Sequence, residues 1–361
     1  MTNRISWWNT TFDEEESDAV VETIAANYLN EGPKTRLLEQ KFAELINISH
    51  VSAVPNGTVA LALCLWASGI KPGDEVLIPD LTFIATASAV KMVNAVPILV
   101  DVNPADGNIN VDIARSKITT KTRALIAVHI NGRVVDVKAL MGIKKDYNIK
   151  LIGDCAQALG SDFNNQSIPS FFDISAISLA PSKIMSTGQG GLVLTSSSEL
   201  YEKVVRLKDH GRLSRSEEIH KEPGFNFKFT DLQASVGLSQ LNKLPARIIK
   251  ARDDFIYYKN ALKDIPEIKF LDSPGKGFTP LWVDAISEHR NELLSFLNNS
   301  NIELRPFWGA LHRQWIGGKD EQFPVASKLS DQGFWFPSGP ACQEKDMAIV
   351  CKKTHDFFGA K

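Results

Sequence analysis

Residues Ser178–Gly191 read SLAPSKIMSTGQGG, and the chain is best understood outward from them. The apolar run Ile174–Ala180 reads as a buried strand and ends just before Lys183. Ser186, Thr187, Gly188, Gln189, Gly190 and Gly191 follow, then a second apolar run, Leu192–Thr195. A lysine between two buried strands is out of place, because lysine is almost never fully buried without a partner. The commoner outcome for a lone lysine is that it reaches solvent. The other is that chemistry removes its charge, as when an amine forms an imine with an aldehyde.

The residues around it decide between the two. From 51 to about 196, β-branched apolar runs alternate with helical segments. The runs are Val51–Val54, Glu75–Pro79, Val96–Val102, Ala124–Ile130, Ile149–Gly153, Ile174–Ala180 and Leu192–Thr195. Val59–Ala67, Thr82–Val93 and Val135–Tyr147 are the helical segments between them. Strands apolar throughout and alternating with helices predict an α/β fold, a mainly parallel sheet sandwiched by helices. In such a sheet ligands bind beyond the carboxyl ends of the strands.

Three strand ends carry chemistry. After Val51–Val54, Asn56-Gly57-Thr58 opens a helix, and free N–H groups there suit an anion such as phosphate. Alone the turn is weak evidence, since Asn or Thr in that place is more often a plain cap. After Glu75–Pro79 comes Phe83, which is either core or a flat surface for an aromatic ring. After Ile149–Gly153 comes Asp154-Cys155-Ala156-Gln157. A carboxylate there is either a solvated cap or the partner of a cation, because an unpaired buried charge is costly. Anion cradle, flat aromatic, buried carboxylate and imine-capable lysine together fit one ligand, pyridoxal 5'-phosphate (PLP). The aspartate keeps the ring nitrogen protonated and the lysine takes the aldehyde.

Other classes are set aside by composition. A formal charge of -2 leaves no basic surface for nucleic acid. The longest apolar run, Val59–Ala67, is far short of the ~20 residues that cross a bilayer. The N-terminal MTNRISWWNTTFDEEES turns acidic and has no apolar h-region, so no signal peptide is expected. Cys64, Cys155, Cys342 and Cys351 are scattered, without a CxxC pair or a metal-ligand spacing, which predicts reduced thiols, no metal and a cytoplasmic location. Neither GxGxxG nor GxxxxGK[ST] follows any strand. Before the sheet, Asp13–Ala26 and Thr35–Ile46 have helical period. After it, Leu238–Leu262 is predicted to be the helix leaving a large cofactor domain, 1–244, for a small C-terminal α/β domain, 245–361.

With these residues in hand, nearly the whole chain, from about 7 to 355, resembles the DegT/DnrJ/StrS sugar aminotransferases, which are fold-type I PLP enzymes. The shared motifs are Asn56-Gly57-Thr58, Asp154-Cys155-Ala156-Gln157, Ser178 five residues before Lys183, and the loop GFNFKFTD at Gly224–Asp231. The resemblance implies that Lys183 holds PLP as an imine and then acts as acid and base. It implies that Asp154 pairs with the ring nitrogen, Gln157 meets the ring hydroxyl and Phe83 stacks. Gly57, Thr58 and Ser178 would bind the phosphate, and Asn226 would reach the phosphate of a partner subunit, so a homodimer with shared sites is implied. Arg305-Pro306-Phe307-Trp308 with His312 matches the branch that includes GDP-perosamine synthases, making Arg305 and His312 substrate contacts. The implied reaction moves an amino group from L-glutamate or glutamine to a keto sugar, a nucleotide-linked 4-keto-6-deoxyhexose by resemblance. A PLP-dependent sugar dehydratase of the same family would carry histidine in place of Lys183, and a non-catalytic regulatory protein would need neither Lys183 nor Asp154. Three departures point to an unusual substrate: Gln189 where the family has glutamate, Asn131 where it has tyrosine, and Phe225 and Phe227 where tyrosine is usual.

Overall fold

The computed structural model describes residues 4–213, 218–271 and 277–359. Two helices, α1 (Glu14–Ala25) and α2 (Pro33–Ile46), precede the sheet. The Asp13 side chain receives the Glu15 N–H, and Glu16 answers to the Asp13 N–H, so α1 starts on a reciprocal cap. Then come β1 (His50–Val54), α3 (Gly57–Ala67), β2 (Glu75–Pro79), α4 (Ala85–Met92), β3 (Val96–Val100), α5 (Val111–Ser116) and β4 (Thr122–Val128). After α6 (Val137–Tyr147) and β5 (Lys150–Asp154), a short hairpin, β6 (Asp162–Phe163) and β7 (Gln166–Ser167), leads to β8 (Ile174–Ser178) and β9 (Gly191–Thr195).

Seven of these strands form one sheet in the order β1-β9-β8-β5-β4-β2-β3. The pairs β2–β3, β2–β4, β4–β5 and β5–β8 are parallel. Only β9 runs against its neighbours, so β1 points the same way as β8. The carboxyl ends of β1, β2, β5 and β8 therefore share one edge. Helix α3 lies in the middle of the molecule, with eight of its 11 residues buried, as expected for a helix apolar on all sides.

Helix α7 (Ser198–Lys208) follows the sheet, and α8 (Asp231–Ala261) leaves it. Helix α8 begins seven residues before the predicted Leu238, because Thr230 caps it by accepting the Gln233 N–H. The Asp231 carboxylate in turn accepts the N–H groups of Gly32, Lys34 and Thr35, so the residue that ends the GFNFKFTD loop caps α2. Helix α8 runs unbroken through Pro245. Beyond it, β10 (Lys269–Phe270), β11 (Val283–Ile286), β12 (Arg305–Pro306) and β13 (Gly333–Phe336) form an antiparallel sheet in the order β10-β11-β13-β12. Helices α9 (Arg290–Asn299), α10 (Pro324–Gln332) and α11 (Glu344–Gly359) complete this lobe.

A second, smaller core lies between the far half of α8, this sheet and α11, around Tyr258, Leu297, Phe334, Phe336 and Val350. Leu281, Trp282, Leu311 and Trp335 instead belong to the main core, so the two lobes are joined through apolar packing. The lobes are also linked by Arg133 and Asp284, a fully buried ion pair 2.7 Å apart. Among the described residues no helix is long and apolar enough to cross a membrane, and no three His, Cys, Asp or Glu residues are grouped to hold a metal.

Candidate active site

The shared edge of the strands opens into a cavity of about 330 Å³, which falls in the ~300–1,000 Å³ range of small-molecule sites. Gly57 and Thr58 enter it from the head of α3, Phe83 from the turn after β2, Asp154 from the end of β5 and Ser178 from the end of β8. Gln157 and Lys183 come from the loops that follow β5 and β8, and Arg305 from β12. Eight of the ten residues singled out in the sequence thus meet in one space.

Asp154 is buried, and its carboxylate accepts the Thr86 hydroxyl at 2.9 Å and the Ala156 N–H at 3.2 Å. Burial nonetheless raises its pKa, because these two bonds do not replace a cation. Burial lowers the Lys183 pKa to about 8, against the opposing pull of Asp154. The Lys183 amine rests over the Trp282 ring, 5.2 Å from its centroid.

The anion cradle depends on close backbone approach. A Cβ at Gly57 would sit 2.9 Å from the Ser178 Cβ, and one at Gly191 would sit 2.5 Å from the Asn56 carbonyl. The Asn56 side chain caps α3 by accepting the Val59 N–H. The first amides of a helix have no partner within it, so those of Gly57 and Thr58 are left to face the cavity beside two hydroxyls, Thr58 and Ser178. Phe83 is half exposed on the wall and packs against Trp308 at 5.9 Å. Gln157 is oriented by the Asn131 N–H, which it accepts at 2.8 Å through Oε1, leaving its NH₂ as the donor.

These features fit PLP: a buried carboxylate short of a cation, a lysine of depressed basicity and a helix-end cradle line one cavity. Four tryptophans, Trp7, Trp282, Trp308 and Trp335, line it too, and sequence reasoning missed them. They arrive from both ends of the chain, and no periodicity marks residues that meet only in the tertiary fold. Thr86 was also missed, although its place one helical turn after Thr82 puts both hydroxyls at the same helix end, 3.1 Å apart.

Two expected contacts lie elsewhere. His312 does not line the cavity; it is buried with Nδ1 2.6 Å from Asp80 and Nε2 2.8 Å from Asp320, and it stacks on Phe323. Both ring nitrogens are thus engaged, and His312 acts as a strut tying the end of β2 to the C-terminal segment. Asn226 is exposed, bridged to Asp209 and away from the cavity of its own chain.

Residues 10–355 match the DegT/DnrJ/EryC1/StrS aminotransferase family. The chain belongs to it. This aminotransferase family is PLP-dependent. GDP-perosamine synthase of Escherichia coli O157:H7 is 32% identical over 96% of both chains. The UDP-N-acetyl-3-dehydro-alpha-D-glucosamine 3-aminotransferase of Acidithiobacillus ferrooxidans is 38% identical over 88% of this chain and 87% of its own. Among solved structures, S. venezuelae DesV superposes with a TM-score of 0.92 at 25% identity, covering 99% of each chain. As a DegT/DnrJ/EryC1/StrS aminotransferase, the chain has the expected α/β fold.

Proposed function

We propose that this aminotransferase moves an amino group from L-glutamate to a nucleotide-linked keto sugar, with Lys183 as its catalytic residue. The observation that carries the reading is the convergence of Lys183 and Asp154 on one cavity with the helix-end cradle of Gly57 and Thr58. Gly57, Thr58 and Ser178 would hold the phosphate of PLP, Asp154 the ring nitrogen, Gln157 the ring oxygen, and Phe83 the ring face. When bound, PLP supplies an electron sink that acidifies the substrate carbon.

The remaining work falls to the chain. Lys183 Nζ takes and returns the proton. With a pKa of about 8, roughly a quarter of it is neutral at pH 7.5, against about one in a thousand for a free lysine. The tryptophan wall excludes water and offers flat faces to the C–H side of a sugar ring. Arg305, exposed at the rim with its guanidinium 4.7 Å from the Trp7 ring centroid, is placed for an anionic group of either substrate. Relatives named for GDP- and UDP-linked sugars support a nucleotide-linked acceptor. The exposed Asn226 supports a homodimer in which each subunit completes the other's cradle.

The test is borohydride reduction of the PLP-treated protein followed by peptide mass analysis. The reading expects PLP mass at Lys183 and none in Lys183→Ala, with dimerisation intact in both. It also expects bleaching of the visible band by L-glutamate and its recovery with a keto sugar nucleotide. A wild-type protein that takes no label would overturn it.

A further inference from the structure

Asn131 is not among the residues that line the cavity. It is 1% exposed, with φ of 52° in the left-handed region that asparagine tolerates better than most residues. Its side chain bonds Trp282 twice and also lies against the Asp284 carboxylate. Nδ2 donates to the Trp282 carbonyl at 2.7 Å, and Oδ1 accepts the Trp282 N–H at 2.7 Å. Only a short amide supplies both a donor and an acceptor at that spacing. The clasped tryptophan packs against Trp7, Trp308 and Trp335 and has two contacts with the lysine segment. Its indole Nε1–H donates to the Ser182 carbonyl at 3.1 Å, one residue before Lys183, and its ring face carries the Lys183 amine. The Asn131 N–H meanwhile orients Gln157. The loop has no slack, because a Cβ on the next residue, Gly132, would fall 2.0 Å from the Thr279 carbonyl.

We propose that Asn131 is a positioning residue for the lysine chemistry: from outside the cavity it fixes the indole on which the Lys183 amine rests, through a chain running Asn131, Trp282, Ser182, Lys183. The proposal rests on the function proposed above, since it assigns Lys183 the same task. Trp282 immediately precedes β11 and Lys183 lies in the loop after β8, so the clasp also bears on how the C-terminal sheet meets the reacting amine. An indole face favours the charged amine over the neutral one. Placing it therefore bears on where Lys183 rests and on how readily it gives up its proton.

The experiment follows capture of PLP by the full-length protein freed of cofactor, quenched with borohydride at timed intervals and read as mass at Lys183. Asn131→Gly keeps the left-handed backbone unstrained and removes the clasp. Trp282→Phe removes the indole N–H and weakens the face. Each single variant is expected to slow capture about tenfold, the scale of a small misplacement of a reacting group. Both should move the pH midpoint of capture by the same amount. Because they break one chain at two points, the double variant should be no slower than the slower single. Asn131→Ser, which keeps a short polar side chain without adding a buried charge, should fall between wild type and Asn131→Gly, and it carries the test if the glycine variant does not fold. Wild-type capture in Asn131→Gly, an unmoved midpoint, or effects that multiply to about a hundredfold in the double variant would each overturn the proposal. Absence of label in the wild-type protein would instead refute the function itself.

Discussion

Replacing Asp154 with asparagine should change stability with opposite signs depending on whether PLP is present. In the free protein the carboxylate is buried with one hydroxyl and one N–H for company. Asparagine fills the same volume, keeps the Ala156 bond and can donate to Thr86. It removes a charge whose burial, only partly offset by the Lys183 amine, costs on the order of 1–3 kcal/mol. The free Asp154→Asn protein should thus be as stable as wild type or more so by about that amount. The pH dependence follows from the raised pKa of Asp154. A carboxyl that holds its proton more tightly when folded costs nothing below the unfolded value of about 3.9, and its cost grows as pH rises above it. The difference between the two proteins should therefore vanish in acid.

With PLP the order reverses. Losing one partner of a buried ion pair costs about 3–5 kcal/mol, roughly 10²–10⁴-fold in affinity. At a PLP concentration a hundred times the wild-type Kd, ligand linkage stabilises wild type by about 2.7 kcal/mol. A hundredfold weaker variant would gain only about 0.4 kcal/mol. Urea unfolding of both proteins, with and without PLP, measures all four quantities. A variant less stable than wild type without PLP, yet equally stabilised by it, would refute the argument that Asp154 waits for a cation.

Two further predictions concern the cradle and the strut. Gly57→Ala drives a methyl to 2.9 Å from the Ser178 Cβ and displaces one wall of the anion site. PLP titration should show affinity down about tenfold or more, while the melting temperature of the free protein stays within error, since alanine is the better helix former. His312→Gln should cost about 3–5 kcal/mol near pH 6, because it leaves Asp80 buried without its partner. Burial lowers the His312 pKa, but its bonds to Asp320 and Asp80 outweigh this and raise it. That stability is full below the unfolded value of about 6.5 and is lost as pH rises through the folded one. Denaturation midpoints of wild type and variant should draw together as pH rises above about 6.5; a gap independent of pH would contradict the charged pairing.

The sheet was legible in the sequence because parallel strands buried on both faces are continuous apolar runs, as in Ile174–Ser178 and Lys150–Asp154. Where the run blurs, so did the boundary. The predicted strand Ala124–Ile130 stops at Val128, because His129 and Asn131 turn out of the sheet, Asn131 with positive φ. The start of α8 was hidden because Thr230 and Asp231 act through capping rather than periodicity. Asp154 and Lys183 stood out as misfits, a carboxylate and an amine at the ends of apolar strands. His312 was misplaced because a motif names a residue without saying which side of a wall it occupies. Trp7, Trp282 and Trp335 left no local signal, and Trp308 entered only as part of a motif, since each packs on partners brought together by the docking of the C-terminal lobe.

One of those contacts bears on how the protein is made. Trp7 and Trp335, near opposite ends of the chain, lie with ring centroids 6.0 Å apart on the same wall. A nascent chain that has already emerged past Lys183 still lacks that wall until β13 clears the ribosome. Translation that halts early would release a polypeptide with a reactive amine but no chamber around it, open to any aldehyde it meets. Closing the chamber thus waits on β13, made long after Lys183.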